Sequence, residues 1–404
     1  MMNFWDDLPR PFLALAPMED VTDVVFRRVV ARAGRPDVFF TEFTNTASFC
    51  SEQGEFSTRG RLTFEKEENP IVAQIWGNNP ENFAEMARAL AAKGFAGVDI
   101  NMGCPDKKVV KSGGGSALIQ TPELVTEIVA ATHEGWNEGS NEATPTPAGK
   151  AGLAPNRQTV ADEASRGGHG LAGGMSGLLG EKATPISIKT RLGYSKVEEW
   201  RSWLTCLLEQ NLANLTVHLR TKKEMSKVPA HFELIPEIVR LRDQIAPRTK
   251  LTINGDIRDR AHAMELWREH PGIDGFMIGR GVFANPFCFT EHENPTRDEL
   301  FDLLNYHLDL FDKYNVTTLG SEPGQSRQSI TVTTRTNEET RDDGLDERTV
   351  AGGLASDPLP RKFEPLKRFF KIYVKDFPGA AELRIKLFEC KDSDEVRKVL
   401  SSAR

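Results

Sequence analysis

The chain has 404 residues, 39% of them hydrophobic and 27% charged, with a formal net charge of −7, so it can bury a sizeable core and has room for more than the ~250 residues a (β/α) barrel commonly uses. No run approaches membrane-spanning length, and the start MMNFWDDLPRPF carries acidic residues and lacks both the basic start and the apolar stretch of a signal peptide. The five cysteines, Cys50, Cys104, Cys206, Cys288 and Cys390, are scattered and form no CxxC pair, which argues against a disulfide framework or a metal site and for a reducing cytoplasm.

Eight strand candidates follow in chain order: Phe12 to Met18, Val38 to Phe43, Ile71 to Gly77, Gly97 to Gly103, Pro185 to Leu192, Leu215 to Arg220, Lys250 to Asp256 and Gly275 to Gly281. Most are followed by a helix-like segment, such as ENFAEMARALAAKG after the third and RAHAMELWREH after the seventh. This alternation is that of βαβα units, and eight parallel strands predict an α/β fold of the (β/α)8 TIM-barrel type. A strand count by itself leaves a doubly wound sheet open.

The polar residues carry the stronger argument. Nearly every candidate strand is apolar until its last residues and then ends in chemistry: Pro17-Met18-Glu19, Glu42, Gln74, Asn101 with Cys104, Lys189 with Arg191, His218 with Arg220, Asn254 with Asp256, and Gly279-Arg280. Barrel enzymes build their sites from carboxyl-terminal strand ends, so this layout predicts a catalyst. Cys104 stands just past the fourth strand, beside Asn101, Lys107 and Lys108. A thiol there is placed to react rather than to pack; the two lysines either lower its pKa or bind phosphate. Glycines after strands seven and eight, in Asn254-Gly255-Asp256 and Ile278-Gly279-Arg280-Gly281, let backbone approach an anion where barrels commonly bind phosphate, and Arg280 adds charge-assisted hydrogen bonds.

Two stretches depart from this pattern. Residues 134–184 hold 11 of the 33 glycines without hydrophobic periodicity, and 318–360 are rich in Thr, Ser and charge; both are expected to be mobile inserts. They carry 4 basic against 6 acidic and 4 against 8 residues, leaving the remainder near neutral. The closing segment 361–404 has 12 basic residues against 7 acidic ones, including Arg361, Lys362, Lys367, Arg368, Lys371 and Lys375. Helical spacing there puts Phe363, Leu366, Phe370 and Tyr373 or Val374 on an apolar side with the cations elsewhere. This is either a solvated helix face or a surface that tracks phosphates.

These residues resemble the tRNA-dihydrouridine synthase family. The ordered motifs are Ala16-Pro17-Met18, Val21-Thr22-Asp23, Phe26-Arg27, Thr41-Glu42-Phe43, Gln74-Ile75-Trp76-Gly77, Asp99-Ile100-Asn101-Met102-Gly103-Cys104-Pro105, Lys111-Ser112-Gly113-Gly114-Gly115-Ser116-Ala117-Leu118, Lys189-Thr190-Arg191, Val217-His218-Leu219-Arg220-Thr221, Asn254-Gly255-Asp256 and Met277-Ile278-Gly279-Arg280-Gly281. The resemblance implies an FMN-binding TIM barrel over 1–291, interrupted at 134–184. A small all-α tRNA-binding domain would follow over 292–404, interrupted at 318–360.

It also implies site roles. Pro17, Met18 and Glu19 would border FMN through their backbone, Gln74 would bond the ring's polar edge, and Lys189 would face its N1/O2 side, where a cation stabilises the reduced ring. His218 would lie near polar atoms or the phosphate, and Asn254, Gly255, Asp256, Gly279 and Arg280 would hold the ribityl phosphate. NADPH, or NADH, would reduce FMN; hydride would pass to C6 of a uracil and Cys104, protonated at neutral pH, would donate to C5. Asn101 and Arg191 would contact the extruded base, and the basic tail would grip tRNA. A cytoplasmic monomer without metal is expected. The rivals are an FMN barrel reductase of the dihydroorotate dehydrogenase type, acting on a free pyrimidine, and a catalytically dead RNA-binding barrel. Leu219 departs from the family, which has Gly there; crowding of the substrate side or a shifted His218 backbone would follow.

Overall fold

The computed structural model describes residues 3–142, 184–316, 329–330, 350–351 and 363–404. Eight parallel strands form its centre: β1 (Phe12–Leu15), β2 (Phe39–Phe40), β3 (Ile71–Trp76), β4 (Gly97–Met102), β5 (Ile186–Arg191), β6 (Asn214–His218), β7 (Lys250–Asn254) and β8 (Gly275–Ile278). Each pairs with the next from β2 to β8, β8 returns to β1, and a parallel bridge from Ala14 to Val38 closes the circle. The barrel expected from the alternating pattern is therefore present. Predicted strands run up to three residues past the observed ends; Gln74, Asn101, Lys189, Arg191, His218 and Asn254 still lie within strands, whereas Glu19, Glu42, Cys104, Arg220, Asp256 and Arg280 lie in the loops beyond them. The expected second strand is split, its last residues giving way to Thr44–Asn45, which pairs separately with β3.

Strand parity sets what points where. In β6, Leu215 and Val217 face the helices, whereas Asn214, Thr216 and His218 face inward; the register aligns His218 with Arg191 on β5 and with Asn254 on β7. The interior is two-sided. Phe12, Ala14, Ala16, Val38, Phe40, Val72 and Met277 join Trp5 in an apolar plug, while β4 to β7 send in Asp99, Asn101, Ser187, Lys189, Thr216 and Thr252. Gly275 is required in the plug, since a Cβ there would lie 2.3 Å from the Phe12 ring. Leu219 continues the outward parity of Leu215 and Val217 and is fully buried among the residues of the outer core. Its side chain therefore does not crowd the barrel mouth.

The surrounding helices are α1 (Val24–Gly34), α2 (Gly54–Leu62), α3 (Pro80–Ala92), α4 (Pro122–Glu142), α5 (Trp200–Leu208), α6 (Ile235–Ile245) and α7 (Arg260–Glu269). Their starts follow capping chemistry: Asp23 caps α1, Asn79 caps α3 with Pro80 next, and Asp259 caps α7. α4 corrects the expected insert boundary. Helix continues through 134–142, and its buried stripe Val125, Ile128, Val129, Thr132, Gly135, Trp136 and Gly139 keeps helical spacing to the end. The two glycines are not loop formers: a Cβ at Gly135 would meet the Ala84 carbonyl oxygen at 2.0 Å, and one at Gly139 the Arg88 carbonyl oxygen at 2.1 Å. They let α4 lie directly on the backbone of α3. The remainder of that stretch, 143–183, lies outside the described residues.

Beyond the barrel come α8 (Arg297–Val316), short helices at Glu364–Lys367 and Phe370–Tyr373, α9 (Ala380–Glu389) and α10 (Ser393–Ala403). Within the second expected insert, Ser329–Ile330 and Val350–Ala351 pair antiparallel, and the rest of 318–360 is outside the described residues. These helices share the barrel's outer core cluster. Phe26 of α1 stacks on Phe369 with ring centroids 4.9 Å apart, and Tyr314 donates to Glu65 at 2.5 Å.

Candidate active site

The first strand opens into a braced loop. Thr22 Oγ1 accepts from Met18 N at 2.9 Å and donates to Met18 O, while the Thr22 carbonyl accepts from Arg27 Nη1 at 2.7 Å. Arg27 is itself fully buried with Glu68, whose other oxygen accepts from Glu65 N. A buried charge pair with its hydrogen bonds satisfied is costly to break from one side, so the Pro17–Met18 backbone has a rigid support. Glu19 points outward and forms a two-pronged ion pair with Arg61 at 2.5 and 2.8 Å. Glu42 lies beneath, nearly buried; burial first, then Asp23 and Glu19, push its carboxyl up to about 7 against the pull of Arg61.

The Cys104 loop is built from within the barrel. Asn101 Oδ1 accepts from Gly103 N at 3.1 Å and Cys104 N at 2.9 Å, and the Cys104 carbonyl accepts from Ser116 N at 3.0 Å. Gly115 closes over it at φ +58°, where a Cβ would lie 2.9 Å from that carbonyl oxygen. Burial raises the Cys104 thiol above its ordinary value; the Asp106 backbone, Lys189 and Arg191 pull the other way without cancelling it. The thiol is thus protonated at neutral pH. The cations that pull most on it are Lys189 and Arg191, while Lys107 and Lys108 are exposed.

Lys189 and Arg191 stand two residues apart on the inward face of β5. Burial and the neighbouring Arg191 lower Lys189 to about 8, with Asp99 opposing, so the ammonium is still mostly charged at pH 7. Arg191, lowered to about 10 chiefly by burial, donates to the carbonyls of Gly103, Thr221 and Met225 at 2.8, 3.1 and 3.0 Å. Arg191 and Asn101 were expected to touch the base, and in the structure their side chains brace the loop that carries Cys104. Gln74, expected at the flavin edge, is fully buried, donating to Asp99 at 2.7 Å and accepting from Asn101 at 3.0 Å.

The far side of the mouth gathers the residues expected from the sequence to bind an anion. Asp256, at φ +53° after Gly255 at φ +110°, accepts from Arg280 at 2.9 Å, from Ala230 N at 3.1 Å and from buried Arg220. Asn254 spends its amide on the Met277 carbonyl at 2.8 Å and so fixes β7 to β8. Gly279 leaves open the space between Ala16 and Met18. Burial and the cations Arg191, Lys189, Arg220 and Arg280 hold the His218 imidazole well below its usual pKa, hence neutral.

Among the described residues, His218 Nδ1 and Arg220 Nη1 are buried without a hydrogen-bond partner. Such orphans cost ~1–3 kcal/mol each, and here they sit beside Lys189 and the exposed Arg280, a donor set that fits an anionic group carrying a phosphate. Arg220 stands among the strand-end polar residues in the sequence but was given no role there. The HLR tripeptide carries it, but its role needed the pairing across strands.

The basic tail is only partly available to a partner. Lys367 is buried, with Nζ donating to Glu364 at 2.7 Å and the Phe388 carbonyl at 2.9 Å, and Lys375 donates to the Ala284 carbonyl. Arg368 and Lys371 are exposed; Arg361 and Lys362 lie outside the described residues. Phe363 is half-buried and Leu366, Phe370, Tyr373 and Val374 are buried, as the helical spacing required. No described helix is long and apolar enough to cross a membrane, and among the described residues no cluster of metal-ligating side chains occurs.

The closed parallel barrel gathers a thiol, a half-buried lysine and two arginines on its carboxyl-terminal rim, which is where (β/α)8-barrel enzymes build their sites. The sequence matches the Dihydrouridine synthase (Dus) family over residues 14–138 and 178–312. It is 46% identical over 399 residues to "Probable tRNA-dihydrouridine synthase 2" of Bacillus subtilis, covering 98% of this chain and 95% of the relative. To "Probable tRNA-dihydrouridine synthase" of Staphylococcus aureus it is 45% identical, covering 98% and 94%, and to the Staphylococcus epidermidis protein of that name 45%, covering 99% and 96%. The chain belongs to the dihydrouridine synthase family, which is flavin-dependent.

Proposed function

We propose that this chain is a tRNA-dihydrouridine synthase: it reduces the C5–C6 double bond of uridine in tRNA, using bound FMN and NADPH, or NADH, as reductant. FMN, when bound, supplies the hydride that reaches C6. Pro17, Met18 and Glu19 would line the cofactor through their backbone, with Gln74, Lys189 and His218 toward its polar atoms. Asn254, Gly255, Asp256, Gly279 and Arg280 would take its phosphate end. Lys189 supplies a positive charge where the ring gains electron density. Cys104 holds a proton on Sγ and delivers it to C5. Arg191 and Asn101 keep the Cys104 loop in place and lie where an extruded base would reach.

The observation that carries this proposal is the position of the Cys104 thiol, half-buried at the barrel mouth beside Lys189 and Arg191. A donor needs its proton at working pH, and burial secures it. Residues 292–404 are assigned to tRNA binding, with Arg368 and Lys371 as exposed phosphate contacts, and the protein to the cytoplasm as a monomer. Mapping dihydrouridine in each tRNA by mass spectrometry, in a strain lacking the gene and in strains complemented with wild type or Cys104→Ala, tests it. A site lost on deletion, restored by wild type and not by Cys104→Ala is expected. No lost site refutes the assignment, and full rescue by Cys104→Ala refutes the donor role.

A further inference from the structure

Asp99 is fully buried inside the barrel and has no part in the chemistry above. It begins a directional chain. Ser187 Oγ donates to Asp99 Oδ1 at 2.6 Å, and Gln74 Nε2 donates to Asp99 Oδ2 at 2.7 Å. Asn101 Nδ2 then donates to Gln74 Oε1 at 3.0 Å, and Asn101 Oδ1 accepts from the Gly103 and Cys104 amides at 3.1 and 2.9 Å. The strand register makes this contact possible, pairing Gln74 with Asp99 and Asp99 with Ser187.

An ionised carboxylate only accepts hydrogen bonds, whereas a carboxamide can turn over and offer either end. Asp99 therefore forces Gln74 to present its NH2 group, which leaves Gln74 Oε1 toward Asn101. Asn101 must in turn present its NH2 group, which leaves its oxygen for the Cys104 loop. Reversing Gln74 would set an acceptor against Asp99 and a donor against the Asn101 NH2 group, so that Asn101 could keep that neighbour only by reversing too; a reversed Asn101 would set a donor against the loop and lose both bonds to Gly103 and Cys104.

We infer that Asp99 is a positioning residue for Cys104, setting the polarity of the Gln74–Asn101 chain that holds the thiol's loop. The claim that this matters for turnover rests on Cys104 being the donor. A competing role for Asp99 is as the counter-charge of Lys189, which it faces within the barrel.

The test uses the flavin-loaded protein with two readouts: the N-ethylmaleimide alkylation rate of Cys104, followed by peptide mass spectrometry, and the single-turnover rate on a tRNA transcript. Asp99→Leu removes the acceptor, and a freed loop should alkylate about 5- to 30-fold faster, the worth of one to two neutral hydrogen bonds, with a comparable loss of turnover. In the double variant Asp99→Asn with Gln74→Glu the carboxylate moves one link along. Ser187 then donates to the new amide oxygen, the new amide donates to the carboxylate at 74, and Asn101 keeps its orientation. That variant is read on alkylation alone, because Gln74 is also assigned to the flavin's polar edge and turnover is expected to fall; it should alkylate at the wild-type rate. If Asp99→Leu does not fold, Gln74→Met keeps the Ser187–Asp99 bond, breaks the chain one link later and should show the same gain. Unchanged alkylation in the folded single variants, or a double variant as reactive as Asp99→Leu, overturns the inference. Faster alkylation with turnover intact upholds the positioning of the loop and overturns the donor role of Cys104.

Discussion

The close crossing of α3 and α4 gives a prediction whose sign is diagnostic. Replacing Gly135 by alanine in an ordinary helix stabilises by about 1 kcal/mol, because glycine is the poorer helix former. Here the added methyl would sit 2.0 Å from the Ala84 carbonyl oxygen and 2.6 Å from its carbon. The contact is with backbone, so no side chain can swing aside, and the helices must part by about 1 Å or more to restore ordinary contact. Overpacking against backbone, which cannot swing aside, falls in the upper part of the usual range of about 1–3 kcal/mol, about 2–3, and with the propensity gain of about 1 subtracted Gly135→Ala should lose roughly 1–2 kcal/mol. Gly139→Ala, 2.1 Å from the Arg88 carbonyl oxygen, should lose a similar amount. One parting of the helices relieves both clashes, so the double variant should cost clearly less than the sum of the singles. Urea denaturation followed by circular dichroism measures this, with an unchanged denaturant slope as the condition for comparison. An alanine variant as stable as wild type, or more so, would refute the reasoning.

Three further outcomes are expected. Glu42 binds its proton more tightly folded than unfolded, so wild type loses stability as pH rises from about 4.5 through about 7. Glu42→Gln does not titrate and should gain about 3 kcal/mol on wild type across that window; a flat difference in denaturation midpoints would contradict the burial of this carboxyl. Glu68→Leu strands the fully buried Arg27 and should cost about 3–5 kcal/mol in urea, while adding Arg27→Met should recover most of it. Lys367→Ala should lower stability and leave the salt dependence of tRNA binding intact, whereas Arg368→Ala should weaken binding and reduce the slope of log affinity against log salt by about 1; equal effects on the slope would disprove the division drawn between these two cations.

Much of the barrel was legible because a buried parallel strand that opens into chemistry writes itself as an apolar run with a polar end, as Gly97 to Cys104 does. The site's outline was legible for the same reason, since strand ends converge on one rim in any closed barrel. What escaped the sequence depends on cross-strand register. Nothing in the order of residues says that Gln74 meets Asp99, that Arg220 grips Asp256, or that Lys189 rather than Lys107 pulls most on the Cys104 thiol. The end of α4 escaped for a different reason. Glycines four apart next to Ser, Asn and Glu have the composition of a loop, and only the neighbouring helix reveals them as a place where two backbones touch. Lys367 shows the limit of counting charge, because a basic residue on a helical tail can spend its ammonium inside the fold.

The course of α4 has a practical consequence. The helix leaves the Cys104 rim and ends at Glu142, and the chain re-enters β5 through Thr184, which pairs with His133, so both junctions lie at the end of the barrel opposite the chemistry. The family match is likewise silent between 139 and 177. Lengthening a connection costs little, about 0.6 kcal/mol for each doubling. A fluorescent protein or affinity handle spliced between these two anchors would hang from the floor of the barrel, giving a tagged protein for tracking in cells whose open rim, and the RNA it receives, stay out of the tag's reach.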